Sequence, residues 1–415
     1  MKNYDIIVIG GGPAGMMAAG RAGELGAHVL LIEKNDRLGK KLSITGGRRC
    51  NITNAEYDNR IFLDNFPESK HFLFSPFSQF NVEHTFEFFE GRGLPIMIED
   101  HKRAFPKSEK ASDVCKVLER YIQESGNVTV QLNTEFKSFI YIDGALQGVR
   151  TSKGLFHAPR IVLATGGLAA PETGSTGEGL SMLEAIGHTV VDPDPNLAPL
   201  RTSATWVHEL SGTSVDDMTL RYIQNDKIKL KARGRLLFTH FGISGPLVIN
   251  SAHQAKALLK VGPVTASIDL FPDYDLGAMD QFLIRLFDAH KNKQLKTVLK
   301  DLLQKNLSET LLKLAGPSLA DTPVHSITKD ERKRLVHTLK DLRFPIIGTM
   351  GFEWSIVADG GVIPQEVDFK TMTSRLFPNL YLIGDTININ RPSGGFSLQL
   401  CWTTGWIAGT HAATN

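Results

Sequence analysis

Tyr4–Glu33 reads YDIIVIGGGPAGMMAAGRAGELGAHVLLIE, and this stretch decides the fold. A short β-rich run, Tyr4–Ile9, leads into a glycine turn. A segment of small residues follows, which favours a helix ending near Gly26. The run His28–Ile32 has the pattern of a second buried strand. Strand, helix and strand in this order predict a βαβ unit.

The glycine turn carries the spacing Gly10-x-Gly12-x-x-Gly15. The first glycine allows a tight turn, the second lets a pyrophosphate approach the backbone, and the third lets the helix pack on the strand. Free N–H groups at the helix N-terminus attract phosphate. Glu33 ends the second strand, where a carboxylate can bind ribose hydroxyl groups. The pattern predicts a dinucleotide site and argues against NADP at this site; a glycine turn used only for packing is the alternative.

Two segments near the end of the chain favour FAD over NAD. Leu382–Asp385 (LIGD) has the pattern of a buried strand ending in Gly384 and Asp385, and in many FAD proteins such an aspartate binds the ribityl chain. Arg391–Phe396 (RPSGGF) opens the final helix-like segment. Its free N–H groups would point at the flavin pyrimidine edge and stabilise negative charge on the reduced ring. An ordinary cap or turn is the alternative for each segment.

The loop Leu38–Asn54, LGKKLSITGGRRCNITN, is the most distinctive stretch of the chain. Its glycines permit close backbone approach, its basic side chains supply positive charge, and its asparagines supply amides. We predict that it contacts the pyrophosphate and the flavin edge; a solvated basic loop is the alternative. Cys50 has no second thiol nearby in the sequence, so we interpret it as a packed cysteine rather than a nucleophile.

Three further features are candidates for the site. Ala164–Gly167 (ATGG) follows a strand-like run and is expected beside the FAD phosphates, with a simple turn as the alternative. Phe136 could offer backbone contacts to adenine or could only pack in the core. His240, within Phe238–Pro246 (FTHFGISGP), is a candidate general acid or base, with a structural histidine as the alternative.

Two proline-containing segments divide the chain. They are Val190–Leu200 (VVDPDPNLAPL) and the pair Phe344-Pro345. Between them lie a strand-like stretch and then a stretch with helical patterning. We therefore predict one α/β domain, residues 1–195 and 345–415, interrupted by a β-rich module at 196–275 and a helical module at 276–344.

Composition excludes several classes of protein. The 415 residues include 46 Lys and Arg against 44 Asp and Glu, a net charge of +2, which gives no sign of a whole-chain nucleic-acid binder. Three scattered cysteines fit a reducing compartment. No apolar run approaches the ~18 residues of a membrane span, and the N-terminus lacks signal-peptide features. We expect a cytoplasmic protein with no membrane or nucleic-acid partner and no metal; the oligomeric state stays open.

The sequence resembles the YhiN/BaiN-like flavoproteins, a family of NAD(P)/FAD-dependent oxidoreductases that includes aminoacetone oxidases. The shared motifs are VIGGGPAGMMAA, TGGRRCNITN, ATGG, LFTHFGISGPLV, DGGV, and GD with PSGGF near the end. The resemblance implies an α/β fold: a split, Rossmann-like FAD domain of the glutathione-reductase type, with an inserted β-barrel-like module and a small helical module.

These observations predict an FAD-dependent oxidoreductase acting on a small organic molecule. The resemblance implies either a reductase of an activated C=C bond that uses NAD(P)H, which we favour, or an oxidase of a small amine. A flavin-dependent tRNA-modifying enzyme and a non-catalytic flavin-binding sensor are the alternatives. The candidate catalytic residue is His240. The predicted cofactor-binding residues are Gly10, Gly12, Pro13, Ala14, Gly15, Glu33, Lys34, Gly39, Lys40, Thr45, Gly46, Gly47, Arg49, Cys50, Asn51, Phe136, Thr165, Gly166, Gly384, Asp385, Gly394, Gly395 and Phe396.

Overall fold

The computed structural model describes residues 4–142, 145–355 and 357–415. The chain forms two compact units, residues 1–195 with 355–415 and residues 196–354. The chain thus returns to the first unit at 355, ten residues later than predicted. The reason is strand pairing, because residues 342–346 and 348–349 both pair with strands of the second unit.

The strands are named in chain order. They are β1 Ile6–Ile9, β2 Val29–Ile32, β3 Thr53–Asn54, β4 Ile96–Glu99, β5 Arg103–Pro106, β6 Val128–Gln131, β7 Phe136–Ile142, β8 Ala145–Thr151, β9 Gly154–His157, β10 Arg160–Leu163, β11 Val190–Asn196, β12 Leu200–Arg201, β13 Ser214–Gln224, β14 Lys227–Thr239, β15 Gly242–Ser244, β16 Val264–Asp269, β17 Leu342–Ile346, β18 Gly348–Thr349, β19 Val357–Val362, β20 Val367–Asp368, β21 Thr373–Ser374 and β22 Leu380–Leu382.

The α-helices follow the same convention. They are α1 Pro13–Glu24, α2 Asn59–Leu63, α3 Lys70–Gln79, α4 Val82–Glu90, α5 Ala111–Glu124, α6 Glu178–Ala185, α7 Thr205–Glu209, α8 Pro246–Val261, α9 Leu276–Ala289, α10 Leu295–Leu302, α11 Lys305–Ala315, α12 Lys329–Lys340 and α13 Phe396–Thr414. None of these described helices is both long and apolar enough to cross a lipid bilayer.

The main sheet of the first unit has the strand order β20-β21-β22-β10-β1-β2-β6. From β22 to β6 the neighbouring strands are parallel, with Ile7 of β1 opposite Leu30 on one side and Ile161 on the other. All four residues of β1 and of β2 are buried, as expected for parallel strands covered on both faces. In the sheet, β2 lies on one side of β1 and β10 lies on its other side. The strand order therefore reverses direction at β1. Ligands of open parallel sheets bind beside the carboxyl ends of the strands at such a point.

Small residues let two helices of the first unit come into close contact. A Cβ atom on Gly405 of α13 would lie 2.5 Å from the backbone oxygen of Ala14 in α1, and one on Gly409 would lie 2.5 Å from that of Ala18. The two helices therefore pack with their backbones almost in contact. This packing fixes α1, and with it the glycine turn, against the core of the unit.

The second unit is built on an antiparallel sheet of order β17-β16-β13-β14-β15-β12-β18. β17 and β18 stand at opposite ends of this order, yet only Ile347 separates them in the chain. The sheet must therefore curl until its two ends approach each other, in agreement with the predicted barrel-like module. Helices α9 to α12 share one hydrophobic core with the sheet, so the two predicted inserted modules form a single unit.

Candidate active site

The three glycines of the turn after β1 have different physical roles. Gly10 has φ 104°, and a Cβ there would lie 2.4 Å from the carbonyl oxygen of Ala164. A Cβ on Gly15 would lie 1.9 Å from the carbonyl oxygen of Gly10. A Cβ on Gly12 would meet no described atom within 4 Å. Protein packing thus explains Gly10 and Gly15, whereas the empty space at Gly12 is room for a ligand.

The N-terminus of α1 is open to that space. Pro13 is the first helical residue, and Gly12 in the cap position provides no side-chain hydrogen bond to the helix. The first turn of α1 contains no acidic residue. Its unsatisfied N–H groups and the helix dipole therefore favour an anion such as a pyrophosphate.

Glu33, which is 8% exposed, holds this turn in place. Its Oε2 accepts a hydrogen bond from the Gly11 N–H at 2.6 Å. Its Oε1 accepts from the Asn35 backbone N–H at 2.8 Å and from the Asn35 Nδ2 at 2.7 Å. A carboxylate offers about four acceptor positions, so one stays available for a ribose hydroxyl.

We expect Glu33→Gln to weaken FAD binding about 10- to 100-fold. The neutral amide would lose the charge-assisted hydrogen bond to the ribose hydroxyl, and hydrogen bonds to charged groups contribute about 1.5–3 kcal/mol. The measurement is the dissociation constant of FAD by fluorescence titration of the apoprotein. Glu172→Gln is the matched control, because Glu172 is exposed and does not line the cleft. Equal affinities for the two variants would contradict the assigned role.

A cleft of about 950 Å³, measured with its open mouth, runs along the carboxyl edge of the main sheet. It reaches from Thr134, after β6, past the ends of β2, β1 and β10 to Asp385, after β22. Four steps between neighbouring strands span about 19 Å, so the cleft suits an extended ligand. The predicted residues that line it are Gly10, Gly12, Pro13, Ala14, Glu33, Lys34, Lys40, Phe136, Thr165, Gly166, Gly384 and Asp385.

One wall of the cleft contains none of the residues in the predicted cofactor-binding set. It comprises Thr173–Gly179 and includes the start of α6. Gly177 caps α6 with φ 79° and, like Gly12, makes no side-chain hydrogen bond to its helix. A Cβ on Gly179 would lie 2.0 Å from Oγ1 of Thr165, which is buried and has no hydrogen-bond partner among the described residues. The glycine spacing in GSTGEG was the available signal, but it matches no established dinucleotide motif.

The far end of the cleft carries a cluster of charges around Asp385. The carboxylate forms an ion pair with Arg391, whose side chain is almost fully buried. Lys41 approaches the other carboxylate oxygen at 3.8 Å and donates to the carbonyl oxygen of Ala169 at 3.4 Å. Arg391 Nε is buried without a hydrogen-bond partner among the described residues. Lys41 and Arg391 were not predicted as site residues, because their link to Asp385 is a tertiary contact.

The predicted loop does not line the cleft along its whole length. Lys40 and Lys41 line it, and the neighbouring Gly39 N–H donates to the carbonyl oxygen of Gly11 at 2.8 Å. Arg49, however, forms ion pairs with Glu99 and Glu109 and stacks over the ring of Phe105. Its positive charge is therefore already paired. The predicted cofactor-binding residues of the loop that do not line the cleft are Gly39, Thr45, Gly46, Gly47, Arg49, Cys50 and Asn51.

The end of that loop packs instead on the start of α13. Asn54 Nδ2 donates to the carbonyl oxygen of Gly394 at 3.3 Å, and a Cβ on Gly395 would lie 2.2 Å from the carbonyl carbon of Thr53. The ring of Phe396 is buried against Phe62, with 4.9 Å between ring centroids. Gly15, Gly394, Gly395 and Phe396 are thus packing residues that do not line the cleft.

The cysteines and His240 differ in their surroundings. All three thiols are buried and free. Burial raises the pKa of the Cys401 thiol, which lines the cleft, to about 12, and it raises the pKa of Cys50 further still. His240 belongs to the second unit, where its exposed ring lies 4.9 Å from the ring of Phe241 and 6.5 Å from that of Trp354.

The cleft fits FAD on four observations. The space above Gly12 is open, the N-termini of α1 and α6 both line the cleft, Glu33 keeps an acceptor free, and Thr165 Oγ1 lacks a partner. The fold and the site together define a Rossmann-type flavoprotein.

The family follows from comparison with known sequences. Residues 4–411 match the family described as the HI0933-like protein Rossmann domain, and the chain belongs to this family. The resemblance to the YhiN/BaiN-like flavoproteins is confirmed, as is the predicted Rossmann-type FAD-binding fold. By family and fold the protein is an FAD-type flavoenzyme of the oxidoreductase class.

Three similar proteins span nearly the whole chain. A ribosomal RNA dihydrouridine synthase of Escherichia coli is 30% identical over 98% of this chain and 97% of its own length. A 3-dehydro-bile acid delta(4,6)-reductase of Clostridium scindens is 28% identical over 98% of each chain. The crystal structure of a 3-ketosteroid-delta4-(5alpha)-dehydrogenase from Rhodococcus jostii is similar in fold, with a TM-score of 0.56 at 14% identity over 100% of this chain and 97% of that one.

Proposed function

We propose that the protein is an FAD-dependent reductase of carbon–carbon double bonds conjugated to a carbonyl group, with NAD(P)H as the electron donor. The observation that carries this proposal is the cleft along the carboxyl edge of the sheet, with the open N-terminus of α1 and Glu33. When bound, FAD supplies the two-electron chemistry, by which a hydride from NAD(P)H is passed to the β-carbon of the double bond while a proton is added at the α-carbon.

The residues of the chain hold the two halves of the cofactor. Glu33 would bind the ribose of the ADP half, and the N–H groups at the start of α1 would bind the pyrophosphate. Asp385 would bind the ribityl chain. Its ion pair with Arg391 holds that carboxylate in one orientation. The entropy of ordering the Asp385 side chain is therefore lost when the protein folds and not when FAD binds.

The choice of a conjugated double bond rests on the two full-length relatives. Dihydrouridine is uridine with a saturated 5,6 bond, and in uracil that bond is conjugated to the C4 carbonyl. A 3-dehydro-bile acid with delta(4,6) unsaturation likewise carries double bonds conjugated to its 3-carbonyl. The two names therefore describe one type of reduction on two kinds of molecule, and we transfer only the type of reduction. A small enone is the first substrate candidate.

A uracil base within RNA is the second candidate. It is favoured by the 30% identity to the E. coli RNA-modifying enzyme over almost the full length of both chains. This candidate is related to the flavin-dependent tRNA-modifying enzyme that the sequence left as an alternative. The relative named here, however, acts on ribosomal rather than transfer RNA. It departs from the expectation, based on the net charge of +2, that no nucleic acid is bound.

Anaerobic flavin reduction tests the proposal. We expect the flavin of the holoprotein to bleach with NADH or NADPH and to regain its colour when a conjugated enone or a uridine-containing RNA is added. A saturated ketone is the matched control and should leave the flavin bleached. Bleaching by aminoacetone followed by reoxidation with oxygen alone would replace the proposal by an amine oxidase. Failure of the flavin to bleach with either nucleotide or to reoxidise with any acceptor would leave the non-catalytic sensor.

His240 is our candidate proton donor. If it supplies the proton at the α-carbon, His240→Ala should lower turnover about 100-fold, with the FAD content and the rate of flavin bleaching unchanged. The measurement is the single-turnover rate of flavin reoxidation by the enone. His208→Ala is the control, because His208 lies in the same unit and its Nε2 is bonded to the backbone oxygen of Thr202 at 3.0 Å. Equal rates for the two variants and the wild type would remove His240 from the mechanism.

A further inference from the structure

The near-neutral chain has an uneven distribution of charge. Residues 196–354, which form the second unit, contain 22 Lys and Arg against 16 Asp and Glu, a net charge of +6. The remaining residues contain 24 against 28, a net charge of −4. The overall value of +2 therefore conceals a basic unit, and a basic unit can bind a polyanion even where the whole chain is close to neutral.

Strand β14 concentrates part of this positive charge. Its sequence from Lys227 to Arg235 is KIKLKARGR. Leu230 and Ala232 pack against the core of the unit, so the alternating residues Lys231 and Arg233 lie on the opposite, outward face. A register irregularity opposite Tyr222 and Ile223 inserts an extra residue at this end of β14. Lys227 and Lys229 beside it are exposed as well.

The basic side chains of β14 differ in whether their charge is already paired. Arg233 forms ion pairs with Asp217 at 2.6 Å and with Asp273 at 2.7 Å, and Arg235 lies 3.3 Å from Asp216. The lysines toward the hairpin end, Lys227, Lys229 and Lys231, have no ion-pair partner among the described residues. We call these three the lysine row.

We propose that the lysine row binds the phosphate backbone of RNA. The three side chains are exposed, they lie close together in the chain at the hairpin end of β14, and their charge is not neutralised within the described protein. Lys229 is the extra residue at the register irregularity, while Lys227 pairs with Gln224 and Lys231 with Arg221. The three long side chains therefore surround the exposed hairpin end, and one strand of backbone that wraps this end can contact all three. This inference deepens the RNA candidate given under Proposed function, but it concerns binding and does not depend on turnover.

Lysines on an exposed strand also have a purely protective role, which is to prevent pairing with other sheets. In the described pairing, β15 contacts β14 only at residues 237–239, so residues 227–236 form such an edge. Protection requires charge on the edge itself. It does not require the unit to carry a net +6, and it produces no affinity for RNA. The two roles are therefore separable by a binding measurement.

The test compares two triple variants of the full-length holoprotein. In the first, Lys227, Lys229 and Lys231 are each replaced by Gln. In the second, three ion-paired lysines of the same unit are replaced by Gln, so the change in net charge is the same. These controls are Lys296, Lys300 and Lys313, whose partners are Asp321 at 2.5 Å, Glu309 at 3.2 Å and Glu209 at 3.4 Å.

The probe is a fluorescently labelled single-stranded RNA. Its binding is measured at salt concentrations from about 50 to about 300 mM, a range that includes physiological ionic strength and over which phosphate contacts weaken measurably. Each phosphate contact on a single strand contributes about 0.7 to the slope of log K against log salt concentration. Loss of three contacts should therefore lower the slope by about 2 and the affinity at 0.1 M salt by about 100-fold. The control triple variant should retain the wild-type slope.

Three results would overturn the proposal: a wild-type protein that does not bind the RNA, a lysine-row variant that retains the wild-type slope, or equal losses of affinity in both triple variants.

Vesicles containing phosphatidylserine provide a further arm of the test, and tighter binding to them than to RNA would assign the lysine row to a membrane surface instead. Reduction of a small enone is measured on the same samples. Because the lysine row is not part of the cofactor cleft, its failure to bind RNA leaves that activity intact, and absence of the activity leaves the binding result valid.

Discussion

Gly12→Val should greatly weaken FAD binding in a protein that still folds. Gly12 has φ −80°, which any residue adopts, and a Cβ there meets no described atom within 4 Å. The substitution should therefore cost the apoprotein less than about 1 kcal/mol, the usual range for changes at a helix cap. The valine side chain would occupy the space that the pyrophosphate needs above the N-terminus of α1. Losing two charge-assisted hydrogen bonds at about 1.5–3 kcal/mol each weakens binding by about 100-fold or more.

The measurement is the FAD content of the purified protein, together with the dissociation constant from titration of the apoprotein. Gly277→Val provides the matched control, since Gly277 is exposed in α9 of the other unit. We expect the control to retain both its FAD and its urea unfolding midpoint. If Gly12→Val bound FAD as tightly as the control, the pyrophosphate would lie elsewhere, and the assignment of the cleft would fail.

Gly15→Ala should have the opposite signature, with a loss of stability even in the absence of FAD. A Cβ on Gly15 would lie 1.9 Å from the carbonyl oxygen of Gly10 and 3.2 Å from the Cβ of Ala164. The first distance is far inside van der Waals contact with a backbone atom, so α1 would have to move away from β1. Overpacking of this kind costs about 3 kcal/mol, and movement of α1 would also disturb its close packing against α13.

The unfolding midpoint of the apoprotein in urea, followed by circular dichroism, measures this loss. Gly277→Ala is the control, because its Cβ would have only an ordinary contact, 3.4 Å from Oδ1 of Asp275. Alanine in a helix is favoured over glycine by up to about 1 kcal/mol, so the control should be as stable as the wild type or slightly more stable. An apoprotein with Gly15→Ala and an unchanged midpoint would show that α1 and β1 are less tightly apposed than these distances require.

Those parts of the site that lie within a few residues of one another could be predicted from the sequence. Gly10, Gly12 and Glu33 line the cleft as expected, and the strand patterns around them place their backbones correctly. Arg49 shows where such reasoning fails. A basic residue in a glycine-rich loop suggests a phosphate contact, but no local pattern indicates that Glu99 and Glu109 fold back to neutralise it.

The wall formed by Thr173–Gly179 shows the same limit. It meets the Gly10 turn only because β10 pairs with β1, which aligns residues about 150 positions apart in the chain. The ion pair of Asp385 with Arg391 is closer in sequence, but the burial of Arg391 comes from the packing of the unit. Pairing partners of this kind are set by the summed burial of whole elements rather than by any short motif.

The sequence by itself determined the βαβ unit, the FAD-type cleft at its glycine turn and the family, because periodicity and glycine spacing act over a few residues. Only the tertiary structure decided which charges are free. Among the described residues, it paired Arg49 and Arg233 with acids and left the lysine row of β14 without an ion-pair partner. The excess of six positive charges, in contrast, lies in one continuous segment, residues 196–354, and can be counted from the sequence once the bounds of that unit are known. Coulombic interactions depend on distance in space, so counts of charge along the chain could not reveal which of these charges are paired.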